Sequence, residues 1–174
     1  MTHDQLVRHA CAWLRRTERC CIVMREASHS GLAEIPDAIG WKSIWHGTGV
    51  GTVVDTICTV VEAKVSRADV IANRRKPPQT LGRYRYLMTL EGLASADDLP
   101  DGWGLLIWAG SRAKRVVRAG WNWSRDERHE QVLLVAEMRR IGGVLTIARR
   151  VAERRNGLVE IDYSEESAGS RTDA

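Results

Sequence analysis

The chain begins with apolar residues at helical spacing. Thr2 and Gln5 have the separation of a capping box, in which two side chains satisfy backbone N–H groups at the start of a helix. The apolar residues that follow recur every three or four positions: Leu6, Ala10, Trp13 and Leu14. Because such residues share one face of a helix, the pattern predicts an amphipathic helix over residues 3–17.

Runs of β-branched and apolar residues dominate the middle of the chain. They predict strands over the segments 20–27, 37–45, 52–65, 83–90, 103–109 and 114–118. A helix is predicted over 66–76, because Pro77 and Pro78 would end it there, and a turn over 28–33. The glycine-rich stretch 46–51 favours a flexible hairpin over a phosphate-binding loop, since no Lys-Ser or Lys-Thr follows it. The order of elements is that of an α/β protein.

The last third of the chain returns to helical spacing. Two groups of apolar residues carry the pattern: Val132, Val135 and Ala136, then Val144, Ile147, Ala148 and Val151. They predict two helices separated by Gly142-Gly143. We therefore expect a core over residues 1–123, a helical extension packed on it over 124–163, and a polar, disordered tail over 164–174.

Length and charge favour a globular protein with a polyanionic partner. The 174 residues suffice for one domain with its own core, and the formal net charge is +4. No apolar run approaches the roughly 20 residues that cross a bilayer, and the amino terminus lacks a signal-peptide pattern, so we predict a cytoplasmic protein that does not enter a membrane. The four cysteines form no C-x-x-C pair, which favours buried thiols over disulfides or a zinc site.

Two acids and a lysine are the candidates for chemistry. Asp37 stands at the start of a predicted strand, and Glu62 and Lys64 lie in the apolar strand over 52–65, where alternation places them on one face. Asp55 lies an odd number of positions before Glu62 and is predicted to point to the other face, so Asp37 is the expected partner. An exposed strand face with an ordinary Glu-Lys pair is the alternative. Carboxylates that hold magnesium beside a cation suit phosphodiester hydrolysis, which needs an activated water and neutralisation of developing charge.

Several stretches together resemble a known family. They are Pro36-Asp37, Glu62 to Asp69, Arg75-Lys76 and Leu99 to Leu106. They resemble the PD-(D/E)XK nuclease superfamily, and within it the MmcB-like DNA-repair branch and related bacteriophage proteins. The resemblance covers residues 3–118. It implies a restriction-endonuclease-like core, with a mixed central sheet flanked by helices, and the predicted C-terminal helices lie outside it.

The resemblance also implies roles for individual residues. Asp37 and Glu62 would bind Mg²⁺ or Mn²⁺ with the carbonyl of Ala63, and Lys64 would orient or activate water. Glu26 is a candidate further ligand, with an ordinary surface glutamate as the alternative. The helix after the motif offers residues that could hold the strand end or contact phosphate, or only cap and solvate the helix: Ser66, Arg67, Asp69 and Lys76. Asn73 replaces an Asp that is usual in the family, which argues against a further metal ligand on this helix.

Basic and aromatic residues are the candidates for contact with DNA. They are Arg67, Arg83, Arg85, Lys114, Arg115, Trp121 and Trp123. Solvated surface is the alternative for the basic residues, and core packing for the tryptophans of a chain without phenylalanine.

The function predicted from these residues is a Mg²⁺-dependent DNA nuclease of repair, recombination or phage–host conflict. Endonuclease and exonuclease action, on single or double strands, are all compatible with it. The alternative is a catalytically inactive nuclease-fold module that binds nucleic acid or a host protein. DNA is the expected partner, and a second copy of the chain and a host protein are further candidates.

Overall fold

A computed structural model of the protein describes residues 1–27, 34–45, 53–75, 79–141, 152–155 and 158–161. The chain divides into two compact units, Met1–Leu133 and Leu134–Ala174. The first unit contains the main sheet and the candidate site.

Helices and strands of the first unit follow closely the segments expected from apolar spacing. In chain order they are α1 His3–Arg16, β1 Ile22–Arg25, β2 Ala38–Trp45, β3 Val53–Lys64, α2 Arg67–Arg74, β4 Tyr84–Leu90, a short 3₁₀ helix Ala96–Asp98, β5 Gly104–Trp108 and β6 Ala113–Val117. Helix α3, Glu127–Ile141, begins in this unit. The strands β7, Ala152–Arg155, and β8, Leu158–Ile161, come last.

Six strands form one mixed sheet in the order β1 to β6. The pairs β1–β2, β2–β3 and β5–β6 are antiparallel, whereas β3–β4 and β4–β5 are parallel. Parallel neighbours need a crossover connection, and α2 lies in the connection from β3 to β4. The predicted α/β class, a mixed central sheet with flanking helices, is confirmed.

Helix α1 covers one face of the sheet. The predicted capping box is present, because Gln5 N donates to Thr2 Oγ1 at 3.2 Å and Thr2 N donates to Gln5 Oε1 at 2.8 Å. Five fully buried side chains of α1 and the central strands share this core: Leu6, Leu14, Val61, Met88 and Leu106. Burial of a side chain of this kind contributes about 1.5–3 kcal/mol, so the core fixes α1 firmly on the sheet.

The opposite face of the sheet carries a smaller core and the candidate site. Val70 of α2 packs there with Leu87 and Leu105, which are also buried. Glu62 of β3 stands beside Leu87 in the parallel register, so it shares the α2 face, whereas its neighbour Val61 packs toward α1. Strand alternation therefore places the motif glutamate away from the larger core.

The C-terminal segment differs from the expected pair of helices. Helix α3 is present where the first was predicted, but β7 and β8 pair as an antiparallel hairpin inside the segment expected to be helical. The physical reason is local. Along the chain, Asn156-Gly157 is a favoured hairpin sequence between the segments of β7 and β8, and β8 carries the β-branched Val159 and Ile161.

Several predicted segments lie outside the described residues. They are the turn over 28–33, the glycine-rich stretch 46–51, the helix after Gly142-Gly143 over 144–151 and the tail over 164–174. Among the described helices, none has the length and apolar character needed to span a bilayer. All four cysteines are free thiols, and Cys21 is exposed while the other three are buried.

Candidate active site

The three motif residues lie close together at one end of the β2–β3 pair. Asp37 directly precedes β2, and Glu62 and Lys64 lie at the carboxyl end of β3. The antiparallel register pairs Ala38 with Val61, and its continuation places Asp37 opposite Glu62. Alternation along β3 then brings Lys64 to the same face as Glu62.

A single ammonium group bridges the two carboxylates. Lys64 Nζ lies 3.1 Å from Asp37 Oδ2 and 3.3 Å from Glu62 Oε2. Asp37 Oδ2 also accepts a hydrogen bond from the Ala63 N–H at 2.8 Å, and His3 Nε2 lies 3.4 Å from the same oxygen. The Asp37 carboxylate is thus held by the backbone and by a side chain of β3. We call Asp37, Glu62 and Lys64 the acid–lysine cluster.

The acid–lysine cluster is largely shielded from solvent. Glu62 is 2% exposed, and the side chains of Lys64 and Asp37 are 14% and 16% exposed. Burial by itself lowers the pKa of Lys64, but the negative charges of Asp37 and Glu62 outweigh it and raise the pKa above its ordinary value. Lys64 is therefore an ammonium at neutral pH, able to donate hydrogen bonds and offset negative charge.

The end of β3 is anchored on its other side by β4. Thr89 Oγ1 donates a hydrogen bond to the carbonyl of Lys64 at 2.7 Å. The N–H of Ala63 points toward Asp37, and the N–H and C=O of one strand residue face the same neighbouring strand. The Ala63 carbonyl therefore faces the gap beside Asp37, as the family resemblance implies for a metal ligand.

The oxygen groups of this cluster suit a hard divalent cation. Two carboxylates and a backbone carbonyl are the ligand types of Mg²⁺ and Mn²⁺, and Mg²⁺ sites commonly use only one or two protein carboxylates with water and substrate phosphate. Among the described residues, no three side chains of His, Cys, Asp or Glu form a ready metal-binding group. A cation here would thus depend on Asp37, Glu62 and the Ala63 carbonyl, with water or phosphate completing its shell.

Arg85 and His3 border the cluster and were missed by the sequence analysis in this role. Arg85 Nη2 lies 3.9 Å from Glu62 Oε1, and the Arg85 side chain is 3% exposed. Its guanidinium also contacts Glu34, Gln79 and the carbonyl of Leu81. Alternation in β3 and β4 could have placed Arg85 on the face of Glu62, but no sequence signal connects His3 with Asp37.

The remaining motif residues have local structural roles or lie elsewhere. Ser66 caps α2 by accepting a hydrogen bond from Asp69 N, and its hydroxyl contacts the Asp69 carboxylate at 2.6 Å. Arg67 pairs with Asp98 at 2.7 Å, which lowers the pKa of Asp98 well below its usual value. Glu26 is exposed, but its N–H donates to the Asp37 carbonyl at 3.1 Å.

The side chains of one lysine and one aspartate named in the sequence analysis lie outside the described part of the chain, so neither is placed relative to the acid–lysine cluster. Lys76 lies outside the described residues. Asp55 belongs to β3, where it pairs with Ile44, but its side chain lies outside the described part of the chain. The register from Ala38–Val61 to Ser43–Thr56 is regular, so no bulge interrupts the alternation on which the choice of Asp37 depends.

Apart from Arg67, which pairs with Asp98, the residues predicted to contact DNA fall into two groups. Lys114 and Arg115 are exposed on the edge strand β6, and Arg115 Nη1 pairs with Glu18 at 2.9 Å. The other group lies around the start of β4: Arg83, Arg85, Trp121 and Trp123. The Arg83 guanidinium lies 4.2 Å above the Trp121 ring.

Comparison with known proteins gives a fold relationship. No protein-family model matches the chain, and no curated protein matches it. Among solved structures, the chain is similar to the SPO1766 protein of unknown function from Silicibacter pomeroyi, with a TM-score of 0.56 and 21% sequence identity. The match covers 84% of this chain and 94% of that chain. At this level of identity, the similarity shows that the two chains share a fold.

Proposed function

We propose that this protein is a metal-dependent deoxyribonuclease of the PD-(D/E)XK type, with Asp37, Glu62 and Lys64 as its catalytic residues. The observation that supports the proposal is the bridge of one Lys64 ammonium to two carboxylates from adjacent strands. The fold contributes the same order of elements, a helix, three strands, a helix and a strand, that the family resemblance implies.

The proposed chemistry follows from the positions of these groups. Asp37, Glu62 and the Ala63 carbonyl would hold Mg²⁺ or Mn²⁺, which, when bound, polarises the phosphate and lowers the pKa of bound water. The Lys64 ammonium, freed from one of its two carboxylates, would donate to the attacking water or to a phosphate oxygen, where negative charge develops. The hydrogen bond of Ala63 N–H to Asp37 keeps that carboxylate in place during this exchange.

DNA as the substrate is supported by charge and by basic and aromatic groups around β4. The formal net charge is +4, and phosphate contacts by Lys and Arg supply most of the sequence-independent affinity for DNA. Arg83 and the exposed Trp123 lie on the loops beside β4, the strand that also carries Arg85 next to Glu62.

A binding module without catalysis is the second candidate, because cations already surround the acids. Lys64 contacts both carboxylates, and Arg85 lies 3.9 Å from Glu62. Both carboxylates thus have cationic neighbours without a metal ion. An inactive module would bind DNA or a protein with these ion pairs unchanged.

The test is cleavage of linear, circular and single-stranded DNA by the purified protein with Mg²⁺, with Mn²⁺ and with excess chelator. We expect cleavage only with metal, and Glu62→Gln should reduce its rate by on the order of 10³-fold, since several kcal/mol of transition-state stabilisation are lost with a metal ligand. Glu91→Gln, at an exposed position after β4, is the matched control and should cleave at the wild-type rate.

Cleavage that persists in chelator would rule out the proposal, as would a Glu62→Gln variant with unchanged rate. Binding of DNA by both variants without any cleavage in either metal would instead support the inactive module. Thermal unfolding of each variant checks that loss of activity does not come from loss of the fold.

A further inference from the structure

A cavity beside the cluster has the size and lining of a small-ligand site. It encloses about 430 Å³, within the range of roughly 300–1,000 Å³ that is usual for ligand pockets. Its walls come from the start of β4 and from the loops that precede β5 and follow β6. The residues that define it here are Gln79, Arg85, Trp103, Trp121, Asn122 and Trp123, and we call it the tryptophan cavity.

Aromatic rings at the rim of the tryptophan cavity are held in place but remain accessible. Trp121 is 39% exposed and Trp123 is 84% exposed, so neither residue is buried in the core. The Tyr84 ring meets the Trp121 ring edge-on, with 5.9 Å between the two centroids, and the Arg83 guanidinium lies over a face of the Trp121 ring. The centroids of Trp121 and Trp123 are 5.6 Å apart with planes tilted by 48°, so the two rings do not stack on each other.

Polar side chains that line the tryptophan cavity are held by neighbouring groups. Arg85 lies 4.7 Å from the centroid of Trp103 and holds the side-chain oxygen of Gln79. Gln79 lines the same cavity, and its amide NH₂ is a hydrogen-bond donor. Asn122 is fixed as well, since its Nδ2 donates to the Gly82 carbonyl at 3.0 Å and its Oδ1 accepts from Ser124 N at 3.1 Å.

A nucleobase combines the properties that this cavity would recognise. Its flat ring stacks on tryptophan, and its edge carries hydrogen-bond acceptors and donors that amide side chains can meet. A purely apolar ligand would instead cover polar groups of the lining, such as the Gln79 amide, without offering them a hydrogen-bond partner, which costs free energy.

Arg85 connects the tryptophan cavity with the acid–lysine cluster. Its side chain lines the cavity, while its Nη2 lies 3.9 Å from Glu62 Oε1. One side chain therefore separates a base in the cavity from the carboxylates proposed to act on the backbone. A base inside a duplex cannot enter a concave site unless it leaves the stack.

We propose that the tryptophan cavity binds one unpaired nucleobase of the substrate, so that the preferred substrate is single-stranded DNA or DNA with an unpaired nucleotide. The inference rests on the proposed function for the role of the bound strand as a substrate. Binding itself needs neither metal nor cleavage, which allows the two proposals to fail separately.

The test is binding of a fluorescein-labelled single-stranded oligonucleotide, and of the duplex of the same sequence, in chelator, measured by fluorescence anisotropy. We expect the single strand to bind more tightly, and Trp123→Ala to weaken its binding by about 5–150-fold, the usual loss for one base–aromatic stack. Duplex binding should change by less than about twofold, because phosphate contacts remain. Trp123→Phe should restore most of the single-strand affinity, and the exposure of Trp123 predicts normal folding of both variants.

Equal affinities of single strand and duplex, or equal losses in Trp123→Ala for both, would overturn the inference. If metal-dependent cleavage of duplex DNA were intact in that case, the proposed function would stand without the base site. Selective single-strand binding that depends on Trp123, found in a protein that cleaves nothing, would support the base site and reject the nuclease.

Discussion

Two buried glutamates of this protein, Glu62 and Glu130, are paired with cations in different ways. Arg125 contacts both oxygens of Glu130, with Nε at 3.0 and 3.1 Å and Nη2 at 2.9 Å, and the Gly82 N–H donates to the same carboxylate at 2.7 Å. Arg125 Nη2 also donates to the Thr56 carbonyl of β3 at 3.0 Å. Glu62, in contrast, shares one lysine with a second acid.

The difference separates a structural ion pair from a candidate reactive one. A guanidinium is a rigid fork that matches one carboxylate, so Arg125 and Glu130 tie α3 to β3 and to the loop before β4 in a single arrangement. An ammonium is a point charge on a flexible stem, and Lys64 can leave one of its two carboxylates without breaking a fixed geometry. Burial alone does not distinguish the two sites, because both glutamates are almost fully buried.

The largest effect on stability is expected at the structural pair. Glu130→Ala removes the buried carboxylate of Arg125, leaves this arginine only the exposed Glu127 as an acidic partner, and should lower the free energy of unfolding by about 3–5 kcal/mol, measured by urea unfolding. Glu127→Ala is the matched control in the same helix, because Glu127 pairs with Arg83 and Arg125 but is 56% exposed. Its loss should stay below about 1 kcal/mol. Similar losses in both variants would contradict the structural role given to Glu130.

A smaller effect, one that magnesium reverses, is expected at the acid–lysine cluster. Lys64→Met leaves two close carboxylates without their shared cation and should lower the free energy of unfolding by about 1–3 kcal/mol. Magnesium should restore part of this loss, because a ligand that binds only the folded state stabilises it.

Lys42→Met is the control for the effect of magnesium. Lys42 pairs with Glu18 at 3.1 Å and has no second acid beside it among its described contacts. We expect magnesium to leave its urea midpoint unchanged. Recovery in both variants, or in neither, would show that the Asp37–Glu62 pair has no special affinity for the ion.

The smallest effect is expected at the pair of Arg67 and Asp98, in which the arginine side chain is 50% exposed. Water screens the charge of this arginine, so Arg67→Ala should leave the urea midpoint unchanged within experimental error, although the hydrogen bonds are short. A shift comparable with that of Glu130→Ala would show that hydrogen-bond length, and not burial, determines how much an ion pair of this protein contributes.

The sequence predicted the sheet and the acid–lysine cluster because both depend on local alternation. Apolar runs such as the one that ends in Val60-Val61 predict strands directly, and period two places Glu62 beside Lys64. The pairing of Asp37 with Glu62 needed only a hairpin between neighbouring strands, and the register is the expected one.

Contacts between segments that are distant in the chain could not be predicted from local alternation. The ion pair of Arg125 with Glu130, the approach of His3 to Asp37 and the position of Arg85 beside Glu62 arise from how the elements pack. The β7–β8 hairpin was missed for a local reason, because the apolar residues before it were interpreted as a helix while the Asn-Gly signal was overlooked.

The most direct test of the central claim is Mn²⁺ binding by Asp37→Asn and wild-type protein, measured by isothermal titration calorimetry and followed by DNA cleavage. Asp97→Asn, at an exposed position of the 3₁₀ helix, is the control for the change of charge. We predict that Asp37→Asn weakens Mn²⁺ binding by at least the roughly 10–100-fold that is seen on loss of supporting groups at metal sites, and loses cleavage. An Asp37→Asn variant that binds Mn²⁺ and cleaves DNA as the wild type does would contradict the account.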